Sequence, residues 1–270
     1  MAASPLMSVM MAAARKAGKS LVRDFGEVEQ LQVSIKGPAN FVSAADHRAE
    51  EIVFQELSHA RPGYGFLMEE RGEVAGVDKT HRWIVDPLDG TTNFLHGNPL
   101  FAVAIGLERE GQVVAGLIYN PVMDEMFMAE KGKGAFMADR TGRDRRLRVA
   151  ARKSLEDSLL STGIPHRGRA NHGLFLDEME HVMKAAAGIR RTGSACLDLA
   201  WTAAGRFDGY WERNLGAWDI AAGSVMIREA GGLICDLDGG QDMLTKGNVC
   251  AGNQHIQRGL LATLAEAGKG

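Results

Sequence analysis

Apolar residues recur at helical spacing near both ends of the chain and at strand spacing through much of its middle. Leu6, Val9, Met10, Ala13, Ala17, Leu21 and Phe25 fall on one stripe of a helix. A second helix is predicted from Ser43 or Ala44 to Ala60, stopped by Arg61-Pro62-Gly63. Strand-like stretches follow at residues 65–68, 83–85, 102–108, 113–119 and 125–129, and the last three alternate with the turns Glu110-Gly111 and Asn120-Pro121 as an antiparallel meander does. Past Arg152 the pattern changes to strand 158–162, helix 171–187, a helix capped by Ser194 and ended by Gly205, and strand 208–212. A helix from 218 to about 230 comes next, then short strands at 233–237 and 248–252 and a terminal helix 255–267. The pattern reads as an α/β chain in two tightly joined halves, 1–152 and 153–270.

Composition narrows the class. Hydrophobic residues are 45% and charged residues 24% of 270, which is the balance of a globular protein and excludes disorder. The 33 glycines follow no triplet period, so collagen is excluded and many tight loops are implied. A net charge of −3 offers no general basic surface for nucleic acid. Cys196, Cys235 and Cys250 form neither a disulfide framework nor a zinc spacing, and free thiols suit a reducing cytoplasm. No apolar run reaches the roughly 18–20 residues of a membrane span.

Two features of the first segment mislead. Residues 7–14 are apolar, but the basic residues follow them, the reverse of a signal peptide. Ala13 to Ser20 nearly matches a phosphate loop, yet its upstream residues are alanines and basic residues on a helical stripe, where amides cannot wrap phosphate. Both reduce to a packed helix.

The densest chemistry lies at Trp83-Ile-Val-Asp86-Pro87-Leu88-Asp89-Gly90-Thr91-Thr92-Asn93. A hydrophobic strand delivers two carboxylates into a turn fixed by proline, so both are able to face one cation. Mg²⁺ takes carboxylate, carbonyl and water oxygens. Gly90 permits close backbone approach, and Thr91 and Thr92 open a short helix whose free amides favour phosphate. The plainer reading is an Asx turn with a helix cap. Further acids at element ends weigh against that alone: Glu69-Glu70 closes a strand, Asp46 begins a helix, and Asp219 begins a later one.

Asp86-Pro-Leu-Asp89-Gly90-Thr91-Thr92-Asn93-Phe94 resembles the signature of the inositol monophosphatase family. Trp218-Asp219-Ile-Ala-Ala-Gly223, continuing to Glu229-Ala-Gly-Gly232, resembles its second signature. Glu69-Glu70, Phe41-Val-Ser-Ala-Ala-Asp46 and Lys131-Gly-Lys-Gly-Ala-Phe136 match further segments. Arg190-Arg-Thr-Gly-Ser-Ala195 with Leu197-Asp-Leu-Ala200 is similar to the bacterial members especially. The resemblance spans nearly the whole chain.

It implies an alternating α-β-α-β-α sandwich of the sugar phosphatase type, with an antiparallel-rich N-terminal sheet and a smaller C-terminal α/β half. It also implies Mg²⁺-dependent hydrolysis of phosphate monoesters, most typically myo-inositol 1-phosphate. By resemblance, Glu69, Asp86, Asp89, Asp219 and the carbonyl of Leu88, whose side chain is then free to vary, hold two or three Mg²⁺. Gly90 and Thr91 contact phosphate, and Thr91, bonded to Asp46, works with Glu69 to activate water. Gly193, Ser194, Ala195 and Glu212, together with Asp89 and Asp219, meet the alcohol. The plainer readings are that Ser194 only caps its helix and that Glu212 is an exposed strand end. Residues 37–40 match a loop that is mobile in the family, Lys36 stands where a basic residue is common, and Li⁺ sensitivity and a homodimer are implied in the same way.

Within the same chemistry, fructose 1,6-bisphosphate, histidinol phosphate, NADP and adenosine bisphosphates remain alternative substrates. A different class is binding to RNA polymerase or RNA, for which Arg140, Arg143, Arg145, Arg146, Arg148, Arg152 and Lys153 form a basic cluster, read more plainly as a solvated edge. There is no GxSxG elbow and no HExxH, and Cys196 has no evident base nearby. Glu178-Met-Glu180-His181 reads as the polar face of a helix, and the 13 scattered methionines as core filler.

Overall fold

The computed structural model describes residues 4–25, 33–37, 40–138, 144–166 and 170–267. Helix α1 (Pro5–Phe25) contains the would-be phosphate loop in its middle, with Gly18 buried. A hairpin of β1 (Val33–Gly37) and β2 (Asn40–Ser43) leads into α2 (Ala44–Ala60). Then come β3 (Gly65–Met68), β4 (Gly72–Val74), β5 (His81–Asp89), the short α3 (Thr91–Leu95), β6 (Ala102–Arg109), β7 (Gln112–Asn120), β8 (Glu125–Glu130), β9 (Gly134–Ala138) and β10 (Asp144–Arg146). Eight of these strands form one sheet, ordered β10-β9-β8-β7-β6-β5-β3-β4 and antiparallel except where β3 runs parallel to β5.

The second sheet is built from β11 (Leu159–Thr162), β12 (Gly188–Arg190), β13 (Gly209–Glu212), β14 (Leu233–Cys235) and β15 (Val249–Gly252), ordered β12-β11-β13-β15-β14. Helices α4 (His172–Ala185), α5 (Ala195–Ala203), α6 (Ala217–Glu229), α7 (Met243–Lys246) and α8 (Gln254–Ala267) connect and cover it. Helices α1 and α2 pack on one face of the large sheet, α5 and α6 lie between the two sheets, and α4 and α8 cover the outer face of the small sheet. The expected five-layer sandwich is therefore present.

Position in the layers explains composition. Eight of the nine residues of α5 are buried, most of them apolar, because a helix between two sheets has almost no solvent face. Helix α6 lies so close on β7 that a Cβ at Gly116 would stand 2.4 Å from the Ala222 carbonyl oxygen. The Lys131-Gly-Lys-Gly stretch is the β8–β9 turn, where the Glu229 carboxylate accepts the amides of Gly132 and Gly134, each at 2.7 Å. This acid adds a polar tie between α6 and the large sheet to that apolar packing.

Strand β5 is longer than the stretch 83–85 that its sequence marks. Pro87 would ordinarily end a central strand. Here it falls in a register shift between Asp86 and Asp89, where no ladder bond requires its missing N–H. Strands β1, β2, β4, β9, β10 and β12 have no counterpart among the sequence-predicted elements; β4, β10 and β12 are only three residues long.

Candidate active site

At the end of β5, Asp86 turns back to accept the Leu88 amide at 2.9 Å, so the Asx-turn reading holds and coexists with a site. Gly90 follows with φ +94°, and a Cβ there would sit 2.9 Å from the Leu100 carbonyl oxygen. Glycine alone fits that corner. The Thr91 hydroxyl lies 3.0 Å from Asp46 Oδ1 and 3.2 Å from the Leu88 carbonyl oxygen, so its one proton has two acceptors.

The remaining acids are fixed by helix starts. Asp46 caps α2 by accepting the Ser43 amide at 2.8 Å and hydroxyl at 2.6 Å. Asp219 does the same for α6, accepting the Gly216 amide at 2.7 Å. Ser194 is the N-cap of α5, and its hydroxyl donates across the layers to Asp89 Oδ2 at 2.5 Å, joined there by the Cys196 amide at 2.7 Å. Capping and site-building are the same contacts. Glu69 closes β3, and its amide donates to the Val85 carbonyl at 3.2 Å, which keeps it beside the Asp86 strand.

Glu69, Asp89, Gly90, Thr91, Gly193, Ser194, Ala195, Glu212 and Asp219 line one cleft of about 420 Å³. Asp86 is buried at its base and Asp46 behind Thr91. Glu212 stands on the small-sheet side, half-buried, accepting the Tyr210 hydroxyl at 2.6 Å. It is not the free strand end of the plainer reading.

Electrostatics mark the cluster as strained toward a cation. Burial, then the charges of Glu69, Asp89 and Asp219, push the Asp86 carboxyl well above the usual range. Burial, then Asp89 and Glu69, do the same to Asp219. Burial raises Asp89 as well, against the opposing bonds from Ser194 and Cys196. Oxygen donors packed this closely match what a hard divalent ion takes. Ligand atoms of Asp86, Asp89 and Cys196 lie within 4.8 Å of one another.

Four features differ from the sequence reading or escape it. The Leu88 side chain is fully buried in the core beneath α1 and α2, so it is not free to vary. Cys196 is surrounded by Asp89, Asp86 and Asp219, and burial followed by these charges holds its thiol well above its ordinary value, which suits no nucleophile. Asp198, quoted only as part of a motif, lines the cleft and accepts the Thr192 hydroxyl at 2.8 Å. Glu178 is no polar helix face: it is fully buried and paired with Arg213 at 2.5 Å. Only the sequence distance to Arg213 hid that. Arg140, Arg143, Pro38 and Ala39 and the side chain of Lys36 lie outside the described residues.

The five-layer α/β sandwich gathers buried carboxylates around the start of a short helix, an acidic centre suited to hard cations. A model described as the inositol monophosphatase family matches residues 2–269. An inositol-1-monophosphatase of Mesorhizobium japonicum is 65% identical over 261 residues, 97% of this chain and 96% of that protein. A protein named Nus factor SuhB of Pseudomonas aeruginosa is 40% identical over 264 residues, 96% of each. The crystal structure of extragenic suppressor protein suhB from Bartonella henselae superposes with TM-score 0.93 at 58% identity, covering 97% of this chain and 98% of that one. The chain belongs to the inositol monophosphatase family, a family of phosphatases.

Proposed function

We propose that the chain hydrolyses the monophosphate ester of a small polyol in a Mg²⁺-dependent reaction, with myo-inositol 1-phosphate the substrate the geometry supports best. The observation that carries this reading is the convergence of Glu69, Asp86, Asp89 and Asp219 on the start of α3, with Glu212 across the same cleft. These four carboxylates and the Leu88 carbonyl would hold two or three Mg²⁺. Bound there, such ions lower the pKa of water and neutralise phosphate oxygens.

The chain's own groups supply the rest. The amides of Gly90 and Thr91 at the start of α3 receive the phosphate oxygens. The Thr91 proton is committed to Asp46 or Leu88, so its oxygen only accepts; it orients an attacking water by taking one of its hydrogens. Glu69 accepts the proton that the water loses. On the alcohol side, Gly193, Ser194, Ala195 and Glu212 face the polyol, whose hydroxyls donate to a carboxylate. Sensitivity to Li⁺, a homodimeric state and a cytoplasmic location belong to the same reading. Among the described residues no helix is long and apolar enough to cross a membrane.

The deciding experiment is phosphate release from myo-inositol 1-phosphate with and without Mg²⁺, beside fructose 1,6-bisphosphate and adenosine 3′,5′-bisphosphate. Strong Mg²⁺-dependent preference for the inositol ester supports the reading. Preference for another ester keeps the acidic centre and discards the role given to Glu212.

A second reading adds a contact with transcription machinery to catalysis. Its support is the relative named Nus factor SuhB and the exposed Arg145 and Arg146 on the edge strand β10. Lysate pull-down with and without nuclease tests it; no capture of polymerase or RNA rejects it.

A further inference from the structure

We propose that Glu50 of α2 is a positioning residue for Glu69: by holding the amides of the β3–β4 turn it fixes where the Glu69 carboxylate meets the cation and the water. The proposal deepens the phosphatase reading above and rests on it.

Glu69, Glu70 and Arg71 are the three residues between Met68 and Gly72, the pair that closes the β3–β4 hairpin. Their amides lie outside the ladder of that hairpin and need acceptors elsewhere. The Glu69 amide goes to the Val85 carbonyl on β5 at 3.2 Å. The amides of Glu70 and Arg71 both go to Glu50 Oε2, at 2.9 and 3.2 Å. The turn that carries Glu69 is thus gripped from a strand on one side and from a helix on the other.

Glu50 itself stands behind the turn, 3% exposed, and does not line the cleft. Its charge is answered by those two amides and by Arg71, whose Nε lies 3.7 Å from Oε1. Arg71 is held in turn by Glu51 and by the Phe54 ring, 4.1 Å below its guanidinium.

Stability alone does not explain a carboxylate here. Ala45, Ala49, Val53 and Leu57 make the buried face of α2 apolar around Glu50, and an apolar side chain at this position would avoid the cost of burying a charge. What the carboxylate adds is a fixed place for the turn. Asp46, one helical turn earlier and equally buried, does the same for the Thr91 hydroxyl at 3.0 Å. Residues four apart share a helix face. One face of α2 therefore sets both groups assigned to the attacking water, Asp46 setting Thr91 and Glu50 setting Glu69. Displacement of a reacting group by about 1 Å can cost roughly 10²-fold in rate, so such a rigid common support matters.

The test uses Glu50→Leu, which removes the acceptor, and Glu50→Gln, which keeps one oxygen for the amides, each in the full chain and checked for folding by circular dichroism. Glu50→Ala, which admits water to the amides, carries the same expectation if leucine prevents folding. Calorimetry reads Mg²⁺ binding, and phosphate release from myo-inositol 1-phosphate reads kcat and KM. Glu50→Leu is expected to weaken Mg²⁺ binding and to lower kcat by about tenfold or more, as loss of a group that orients a ligand does. KM should stay within about twofold, and Glu50→Gln should bring kcat and Mg²⁺ binding back to within about threefold of the unaltered chain. In a Glu69→Gln background, adding Glu50→Leu should change either quantity by no more than about twofold, because a residue acting through Glu69 has nothing left to act through. Unaltered kcat and Mg²⁺ binding in folded Glu50→Leu overturn the proposal. So do losses that simply add to those of Glu69→Gln, which make Glu50 a general prop of the fold, and a glutamine variant as impaired as leucine, which makes charge rather than the grip on the amides the cause. If the unaltered chain binds Mg²⁺ yet hydrolyses no ester, it is the phosphatase reading that fails, while calorimetry still decides the role of Glu50.

Discussion

Thr91 and Asp46 stand forty-five residues apart in sequence and 3.0 Å apart in the fold, hydroxyl to carboxylate. Burial raises the Asp46 carboxyl, while bonds from Ser43 and Thr91 oppose that rise. A hydroxyl held this way keeps its lone pairs facing the cleft. Thr91→Val, which keeps the shape and removes the oxygen, is expected to lower kcat by about 10²–10⁴, the usual span for losing a proton-handling group. Phosphate-release kinetics check it. Near-native kcat would remove Thr91 from the reaction.

Ser194 does two jobs with one oxygen, capping α5 and donating to Asp89. Ser194→Ala is expected to cost about 1 kcal/mol as a lost cap. Because Asp89 loses a bond that orients it, the Mg²⁺ concentration for half-maximal activity is also expected to rise. Thermal unfolding and a Mg²⁺ titration read the two effects separately. A lower melting temperature with an unchanged Mg²⁺ titration would leave Ser194 as a cap alone.

Much of this arrangement is legible in the sequence because the signals are local. The second helix begins at Ala44 and ends at Ala60 as its cap and stop predict, and the meander follows its alternation closely in β6, β7 and β8. Asp86, Asp89 and Gly90 are recognisable because strand, turn and helix start are contiguous. What stays hidden depends on partners far along the chain. Glu178 looks solvated until Arg213 is brought beneath it. Cys196 looks like any helical cysteine until α5 is laid against the end of β5. The three-residue strands β4, β10 and β12 are defined by neighbours rather than by any pattern of their own.

Stability of the metal-free chain is expected to fall as pH rises. Asp86 and Asp219 have carboxyl groups raised well above their ordinary value of 3.8. From that value up to the raised ones, the folded chain holds protons that the unfolded chain has released, so each step up in pH favours unfolding. The lowered carboxylates, such as Asp78 at about 2, act below this window and do not cancel it. Melting temperatures in EDTA between about pH 5 and 8 should therefore decline, and Mg²⁺ should flatten the decline by answering the same charges. A melting temperature in EDTA that climbs across this range contradicts the reading of the cluster.

Glu212 is expected to act on the alcohol and not on the phosphate, since it stands on the small-sheet wall of the cleft, where it accepts the Tyr210 hydroxyl at 2.6 Å. Glu212→Ala should weaken turnover of myo-inositol 1-phosphate by about tenfold or more, as loss of a buried polar partner does, and spare an aryl phosphate. Equal losses on both esters would place its role elsewhere.

Gly90 gives the sharpest separation of backbone from side-chain effects. Its φ of +94° lies where L-residues are strained, and the Leu100 carbonyl oxygen leaves no room for a methyl group. Gly90→Ala therefore has two ways to relieve the conflict. If the corner keeps its shape, the strain lowers stability by about 1–3 kcal/mol. If the corner moves, the amides of Gly90 and Thr91 turn away from the phosphate while Asp86 and Asp89 on the preceding strand stay. The second course predicts a chain that still binds Mg²⁺ by calorimetry but has a raised KM for every phosphate ester tested, ring or chain. Because the Asp86 turn and the Ser194 bond to Asp89 hold the strand end independently of the corner, this second course is the expected one. Unchanged KM values with intact stability would show that the corner accepts a side chain and that the phosphate is held elsewhere.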